Sequence, residues 1–390
     1  MKLSIDRRSL LTGAGAFSVL VAGGTVWRAA DQGVFSTGQG PAYEPWQNWR
    51  TEPVDDKTAL VRAAILAANP HNTQPWLFRV RQSRIDLFAD TTRNIGAIDP
   101  DLREMYIGLG CALENLLLAA AANGYLTELK LLPNAADPTH AAQVELTPGP
   151  SIHSALYDAI PHRHTHRGPY DSRRPLGPAV LKAAQELGAD MPVVRIFWFT
   201  SDEQRARIGK LIIQATQAVI ADSQQSQDSA KWERFNWQAL QQHRDGITLD
   251  AQGLSPIVRA AAKILPPLSA DQNNNAWLDA TRDTFVAKTP AFGILAVRSN
   301  QDKVQRMLGG RLWQRLHLWG TSQGLGLQPL NQMSERADRE TQLAIQPTFG
   351  NALKDLIDDA SWQALMPFRI GYPLSEALAS PRRSIKDVMA

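Results

Sequence analysis

The sequence predicts an α+β fold in which mixed or antiparallel sheets are flanked by helices. Helical and strand patterns alternate along the 390 residues, but several strands come in pairs separated by short polar turns, which is typical of hairpins. Paired strands favour this class over the parallel sheet of a doubly wound fold. The chain is long enough for two or three domain cores, or for one large intertwined core.

Composition and charge exclude several classes of function. The chain is 44% hydrophobic and 20% charged, as in ordinary globular proteins. Its 41 Lys and Arg residues nearly balance 38 Asp and Glu residues, so no nucleic-acid partner is expected. The single cysteine, Cys111, lies in an apolar helical pattern and is predicted to be a buried packing residue rather than a reactive thiol.

The first thirty residues resemble a twin-arginine export signal. Arg7 and Arg8 precede a weakly hydrophobic run rich in glycine and alanine. We therefore expect a signal peptide over residues 1–30, a transient partner in the twin-arginine translocase, and a periplasmic location. The segment is either cleaved or kept as an N-terminal membrane anchor, and no later apolar run is long enough to predict another span. Residues 31–57, rich in Gly, Pro and polar residues, are predicted to be a linker.

An N-terminal lobe is predicted over residues 58–150. Its elements, in order, are a helix, a hairpin, a long buried helix that ends at Asn123-Gly124, and two strands around a loop containing Pro and Asp. The first helix is predicted over 57–68 and the hairpin over 76–90. The long helix is predicted over 101–126 and the last two strands within 129–150. These ranges follow from helical periodicity of apolar residues, from apolar and polar residues that alternate in strands, and from turn residues.

A C-terminal lobe is predicted over residues 151–390, with residues 225–280 as a candidate lid. Helices are predicted over 151–160, 178–189, 201–242 and 301–325, and strands over 192–200, 290–299 and 367–374. Residues 244–275 are predicted to be irregular and residues 326–333 a loop.

Basic residues cluster in two segments. Arg163, Thr165 and Arg167 offer two planar donor forks and a hydroxyl within five residues, which suits a phosphate monoester. A solvated basic loop is the alternative. Arg382 and Arg383, close to the C-terminus, are a second candidate pair. His162, His164 and His166 could share one face of an extended segment, but no acidic or cysteine cluster completes a metal site, so no metal is predicted.

Amide side chains cluster in two loops. In "NPHNTQPW", prolines on both sides of Asn72 and Gln74 predict a rigid hydrogen-bonding turn with Trp76 packed behind it. The alternative is a helix-stop loop whose amides cap backbone groups. In "GLGLQPLNQM", the glycines allow close backbone approach beside four further candidates. These are Pro329, Leu330, Asn331 and Gln332. The nucleophile elbow, the P-loop and the dinucleotide fingerprint are all missing.

Five segments in combination resemble the nitroreductase-like flavoprotein family. They are "NPHNTQPW", "RHTHRGPY", "GLGLQPLNQM", "FRIGYP" and "SPRRSIKDVM". Their order is similar to that of the single-chain, two-lobed branch of the family, the mycobacterial Acg-like proteins, and the resemblance covers about residues 58–390. Two departures stand out. His71 replaces the family's serine, and Arg163-His164-Thr165-His166-Arg167 replaces R-R-S-x-R.

The resemblance implies an intramolecular pseudo-dimer that binds one FMN where its lobes meet, as a monomer or a weak homodimer. Asn72 and Gln74 would lie at the polar edge of the ring. The peptide groups near Asn331 and Gln332 would approach its N5 and O4 atoms, with Pro329 and Leu330 as further cofactor contacts. The phosphate would be held by Arg163, Thr165, Arg167, Arg382 and Arg383.

The resemblance also implies a function, with no catalytic side chain. The flavin would pass hydride or electrons from N5 to flat, electron-poor acceptors such as nitroaromatics or quinones. Because the periplasm has no NAD(P)H pool, two alternatives stay open. One is an exported protein that binds FMN without turnover, and the other is an enzyme reduced by a membrane or periplasmic donor.

Overall fold

The computed structural model describes residues 23–50 and 56–390, and its strands form two four-stranded antiparallel sheets. In the N-terminal lobe the strands are ordered β1-β2-β4-β3. Their bounds are β1 Trp76–Val80, β2 Arg84–Ala89, β3 Tyr125–Leu131 and β4 His140–Pro148. The α+β fold class and the predicted hairpin over 76–90 are confirmed.

The second sheet repeats the strand order of the first. It runs β5-β6-β8-β7, again with every neighbouring pair antiparallel. Its strands are β5 Val194–Phe199, β6 Ala291–Val297, β7 Gly326–Pro329 and β8 Gln363–Gly371. In both lobes a 20-residue helix joins the second strand to the third. The two halves of the chain therefore share one topology, as a pseudo-dimer requires.

The helices cover the sheets and fill the space between the lobes. The N-terminal half contains α1 Gly23–Asp31, α2 Glu44–Gln47, α3 Asp56–Ala64, α4 Arg103–Ala122, α5 Ala155–Asp158 and α6 Pro178–Glu186. The C-terminal half contains α7 Asp202–Ala221, α8 Ser223–Ala230, α9 Trp237–His243, α10 Pro256–Ile264, α11 Ala270–Ala280, α12 Lys303–Ser322, α13 Gln332–Gln342 and α14 Thr348–Ile357.

The two 20-residue helices, α4 and α12, pack directly against each other between the lobes. A Cβ atom added to Gly110 would lie 2.1 Å from the carbonyl oxygen of Met307, and one added to Gly310 would lie 2.0 Å from that of Ile107. Only glycine allows the two backbones to approach so closely. Cys111 is buried in this contact, as predicted. By length and composition α4 could cross a membrane, but 83% of its apolar window is buried inside the protein, as in a core helix.

The C-terminal tail returns to the N-terminal lobe. Beside strand β1, the amide of Phe78 donates to the carbonyl of Val388 at 2.7 Å, and the amide of Ala390 donates to the carbonyl of Phe78 at 2.8 Å. Further back along the tail, the amide of Arg382 donates to the carbonyl of Ala42 at 2.7 Å. These bonds place Arg382 against the lobe that contains the amide-rich loop.

Two predictions about the C-terminal lobe are wrong. Residues 244–275, predicted to be irregular, contain α10 and the start of α11. Both helices are capped by a serine. The hydroxyl of Ser255 accepts from the amide of Val258, and that of Ser269 accepts from the amide of Gln272. Residues 326–333, predicted to be a loop, contain β7 and the first residues of α13. The helix predicted over 201–242 is divided into α7, α8 and α9, with a new cap at Asp222.

The segment predicted to be a linker is partly folded onto the core. Tyr43, Trp46 and Trp49 are buried, and the indole of Trp46 donates to the carbonyl of Ser380 in the tail at 2.8 Å. Of the predicted signal peptide, Arg7 and Arg8 lie outside the described residues, so that prediction stays open.

The close helix contact yields a stability prediction. Gly310→Ala should lower the free energy of unfolding by about 1–3 kcal/mol, because the added methyl group forces the two backbones apart. Chemical denaturation measures this. Gly177→Ala is the matched control, since its φ is −68° and its Cβ atom would meet nothing within 4 Å. Equal stability of the two variants would contradict the packing described.

Candidate functional site

A cavity of about 950 Å³ lies between the two lobes. The N-terminal lobe lines it with residues 68–71 and with one face of α4. The C-terminal lobe lines it with Thr165, Arg167, Gln328, Pro329, Asn331, Gln332 and Glu335. Much of the remaining wall comes from residues 226–285. The predicted lid therefore borders the cavity, and its movement stays a prediction. A space of this size is typical of small-molecule sites.

The amide-rich loop has an unusual backbone. His71, Asn72 and Gln74 have φ angles of 46°, 55° and 52°, in the left-handed region that most side chains avoid. Such conformations cost on the order of 1–3 kcal/mol each for non-glycine residues, and they persist only where surrounding bonds fix them. Here the amide of Gln74 donates to Asn69 Oδ1 at 2.8 Å, and its side chain donates to the carbonyl of Arg244 at 2.9 Å. The loop is thus held rigid at the edge of the cavity.

A second, smaller cavity of about 30 Å³ lies beside the first, and the two share wall residues. Arginines dominate its lining. Arg163, Arg167 and Arg382 contribute to the wall, together with Thr165 and Asn72. The structure therefore brings together five of the predicted phosphate and ring contacts, although they come from three distant parts of the chain.

The guanidinium groups in this wall are buried without a counter-charge. Arg163 and Arg382 are each 2% exposed, and no carboxylate stabilises either cation in the part of the chain that the structure describes. Burial lowers the pKa of Arg163 to about 10 and holds the pKa of Arg382 well below its usual value. Burial also lowers the pKa of Arg167 to about 10, and the nearby Arg369 adds to that effect.

The same arginines have unused donors. The Nε atoms of Arg163 and Arg382 are buried and make no hydrogen bond. The remaining bonds of Arg163 reach His317 Nδ1 and the carbonyl of Leu66, both at 3.3 Å. Buried cations without an anion are costly, so an anionic group in the small cavity would satisfy both the charge and the free N–H groups.

Arg382 is held in place by neutral groups. Its guanidinium donates to Asn72 Oδ1 at 2.5 Å and to the carbonyl of Ala67 at 3.1 Å, and it lies 4.7 Å from the centre of the Trp46 ring. Asn72 therefore fixes an arginine as well as lining the small cavity.

Three predicted site residues have other contacts. Gln74 is fully buried, and its Oε1 accepts from the amide of Arg383 at 2.8 Å. The guanidinium of Arg383 donates to the carbonyl of Gln74 at 3.2 Å, so the pair joins the loop to the tail. Leu330 is 1% exposed and packs in the core of the C-terminal lobe. None of the three lines either cavity.

The other residues predicted from "GLGLQPLNQM" line the larger cavity. They are Pro329, Asn331 and Gln332. The side-chain oxygens of Asn331 and Gln332 are buried and accept no hydrogen bond. These two oxygens are thus free to accept a hydrogen bond from a ligand.

The histidines considered for a metal site have separate partners. His166 contacts the carbonyl of Ser375 at 2.7 Å, and the ring of His164 packs edge-on against Trp46. His162 is exposed. No group of three potential metal ligands occurs among the described residues.

Three of the lining residues that were not predicted bear on the chemistry of the cavity. His71 contacts Ser229 Oγ of the lid segment at 2.9 Å, and burial, with a smaller effect of Arg167, lowers its pKa to about 4. Glu104 and Glu335 also line the cavity, and their side chains hydrogen-bond to each other. No motif signals this carboxyl pair, because its members lie on helices of different lobes.

Burial sets the protonation of the carboxyl pair. It raises the pKa of Glu104 to about 7, against the opposing effect of Arg103. It raises the pKa of Glu335 well above its usual value, and the adjacent Glu104 adds to the rise. The pair therefore holds a proton near neutral pH.

The chain is similar in sequence to mycobacterial putative NAD(P)H nitroreductases. It is 31% identical over 135 residues to Rv3131 of Mycobacterium tuberculosis, which covers 34% of this chain and 38% of that protein. It is 34% identical over 115 residues to acg of the same species, which covers 29% and 35%. The chain thus spans little more than a third of the length of the curated relatives it matches. No family model matches the chain. The predicted resemblance to the nitroreductase-like family is confirmed.

Solved structures of nitroreductases show a more distant likeness to the chain. The FMN-dependent nitroreductase NfnB of Mycobacterium smegmatis, in complex with NADPH, is 14% identical, with 60% of this chain and 97% of that chain covered and a TM-score of 0.38. A nitroreductase with bound FMN from Bacteroides fragilis is 13% identical, covers 59% and 95%, and has a TM-score of 0.35.

The three arginines that line the small cavity, Arg163, Arg167 and Arg382, form what we call the arginine wall. This wall predicts binding of a simple anion. Inorganic phosphate should raise the melting temperature of the cofactor-free protein by at least about 2 °C over chloride at equal ionic strength, because it binds only the folded state. The double variant Arg163→Gln, Arg382→Gln should lose this difference. Arg383→Gln, outside both cavities, should keep the difference. A double variant that responds to phosphate as the wild type does would contradict the assignment of this wall as an anion site.

The carboxyl pair predicts a pH dependence of stability. The folded pKa of Glu104, about 7, exceeds its ordinary 4.5. The retained proton therefore stabilises the fold fully below pH 4.5, and this contribution is lost as pH rises through the folded pKa. Glu104→Gln removes this titrating group, so its free energy of unfolding should gain on that of the wild type by on the order of 1–3 kcal/mol between about pH 5 and 8. Denaturation curves across pH measure the gain, and parallel curves would refute it.

Proposed function

We propose that this chain, a sequence relative of the Acg-like putative nitroreductases, is an FMN-dependent oxidoreductase that reduces flat, electron-poor acceptors such as nitroaromatics or quinones. The observation that carries the proposal is the set of buried arginines without a counter-anion in a small cavity beside a larger one. A phosphate attached to a planar ring matches both spaces.

The side chains present suit FMN. Its phosphate would accept from Arg163, Arg382, Arg167 and the hydroxyl of Thr165, including the Nε atoms that have no partner. Such charge-assisted contacts are among the stronger hydrogen bonds in proteins. The ring would occupy the larger cavity near Asn331, whose side-chain oxygen is free. When bound, the flavin would supply the hydride or electron transfer itself.

The protein's contribution is binding, orientation and exclusion of water. The loop over residues 69–74 is already rigid, so little conformational entropy is lost when a ligand binds. The lid segment carries Phe235 and Trp277 in the cavity wall, Phe285 follows it there, and these rings suit a flat apolar acceptor. His71, neutral at physiological pH, adds no charge near the ring.

We further propose that the protein works in the periplasm, after export by the twin-arginine route. NAD(P)H is absent there, so the electrons would come from a membrane or periplasmic donor. Fractionation of cells that express the full chain, compared with an Arg7→Lys, Arg8→Lys variant, tests the route. Retention of the variant in the cytoplasm is expected, and equal export of both proteins would contradict it.

The purified protein should be yellow and should turn over. Anaerobic dithionite should bleach the flavin absorbance, and a nitroaromatic or a quinone should restore it. A flavin that no acceptor reoxidises would indicate a binding protein without turnover, and a colourless protein that takes up no added FMN would refute the proposal.

The arginine wall should determine flavin retention. Arg163→Gln with Arg382→Gln should weaken FMN binding by at least about 100-fold, because each lost charge-assisted bond costs about 1.5–3 kcal/mol. Flavin fluorescence after dialysis measures this. Arg298→Gln is a control, since Arg298 is exposed and stacks on Trp362, 3.7 Å from its ring centre. A double variant that stays fully yellow would exclude this phosphate site.

A further inference from the structure

Two carboxyl groups from different lobes meet in the wall of the larger cavity. Glu104 lies on α4 and Glu335 on α13, and they are 4% and 6% exposed. Their side chains hydrogen-bond to each other, and the side chain of Asn331 also bonds to Glu104. A hydrogen bond between two carboxyl groups requires a proton on one of them.

The surrounding charges leave that proton in place. Asp99 and Asp338 lie near the pair, with Arg103 as the facing cation. Asp338 accepts from Arg103 Nε at 2.7 Å, whereas Glu104 is 3.4 Å from Arg103. The two oxygens of Asp99 accept from the amides of Glu104 and Met105 at 3.0 Å each, which favours its anion, although burial raises its pKa.

One further cation, Arg306, approaches this group but bonds elsewhere. Its guanidinium donates to the carbonyls of Asn300 and Asp101. Four carboxyl groups, those of Asp99, Glu104, Glu335 and Asp338, thus face two guanidinium groups. That of Arg103 is already paired with Asp338, and that of Arg306 bonds to carbonyl groups. Two adjacent carboxylates in a buried site repel each other strongly, so the pair at rest holds a single shared proton.

The cavity beside the pair offers a place for an acceptor. Gln332 is 5% exposed, lines the same cavity, and has a side-chain oxygen without a partner. It precedes Glu335 by three residues on α13, so both lie on one face of the helix. A polar contact and a proton source are thus placed side by side.

We infer that Glu104 and Glu335 together are the proton donor for the acceptor that is reduced in this cavity, an inference that rests on the proposed function. Two-electron reduction of a quinone needs a hydride, which carries both electrons and one proton, and a second proton for the oxygen. The shared proton leaves a glutamic acid O–H and forms an O–H bond on the acceptor. The pair, left as two carboxylates, regains a proton from water. A nitro group needs the same hydride and proton to give a nitroso group and water.

The first experiment asks whether the pair holds a proton, without any flavin. Infrared spectra of the cofactor-free protein at pH 7 should show a carboxylic-acid band that weakens or shifts in Glu335→Gln and also in Glu104→Gln, so a folding failure of one variant leaves the other. Glu340→Gln is the matched control, because Glu340 lies on the same helix and accepts from the amide of Phe349 outside the cavity. Glu233→Gln identifies the band of the lid carboxyl, whose pKa burial raises to about 7. An unchanged band in both pair variants would overturn the inference.

The second experiment asks where the proton goes. In flavin-loaded protein, either pair variant should slow reoxidation by a quinone about 100-fold or more, as expected for loss of a general acid, and should abolish the fall in rate above neutral pH. Glu340→Gln should keep the wild-type pH profile. If the pair variants bind flavin normally and keep the wild-type reoxidation rate and pH profile, the pair does not deliver the proton. That result would leave the proposed function standing. A wild type that binds no flavin would overturn the proposed function and the delivery, and the infrared result would still decide whether the proton is shared.

Discussion

The arrangement of the molecule depends on buried positive charge where the two lobes meet. Arg163 and Arg382 are almost inaccessible to water and face carbonyl oxygens, an imidazole and an amide rather than carboxylates. Their favourable contacts with neutral groups are weaker than the desolvation cost of two guanidinium ions. A protein can retain such a cluster where an anionic ligand completes it, and the folded chain then gains stability from binding.

The fold brings these charges together through its internal repeat. Two sheets of identical strand order are joined through α4 and α12, whose glycine contacts let the backbones touch. That contact puts residues 66–74 of one lobe opposite residues 163–167 of the other, and the tail carries Arg382 back across the junction. Each lobe alone contains only part of the site. The cavity, the arginine wall and the carboxyl pair are all properties of the interface between the lobes.

Local patterns in the sequence predicted the hairpin, α4 and all three arginines of the wall, Arg163, Arg167 and Arg382, since these depend on periodicity and on clustered donors. The helices α10 and α11 were missed because serine caps, rather than a strong apolar stripe, define them. Motif spacing could not show that Gln74 and Arg383 bond to each other instead of facing the cavity. The Glu104 and Glu335 pair depends on a contact across 231 residues of chain (335 − 104 = 231), which no local signal reports.

Comparison of FMN with riboflavin tests the central claim most directly, since the two differ only in the phosphate. Calorimetric titration of the cofactor-free protein should give a dissociation constant for FMN at least about 100-fold below that for riboflavin, as two or more charge-assisted bonds require. In the Arg163→Gln, Arg382→Gln protein the two affinities should become equal. Equal affinity of the wild type for FMN and riboflavin would contradict the account, because the buried arginines would then have no phosphate to bind.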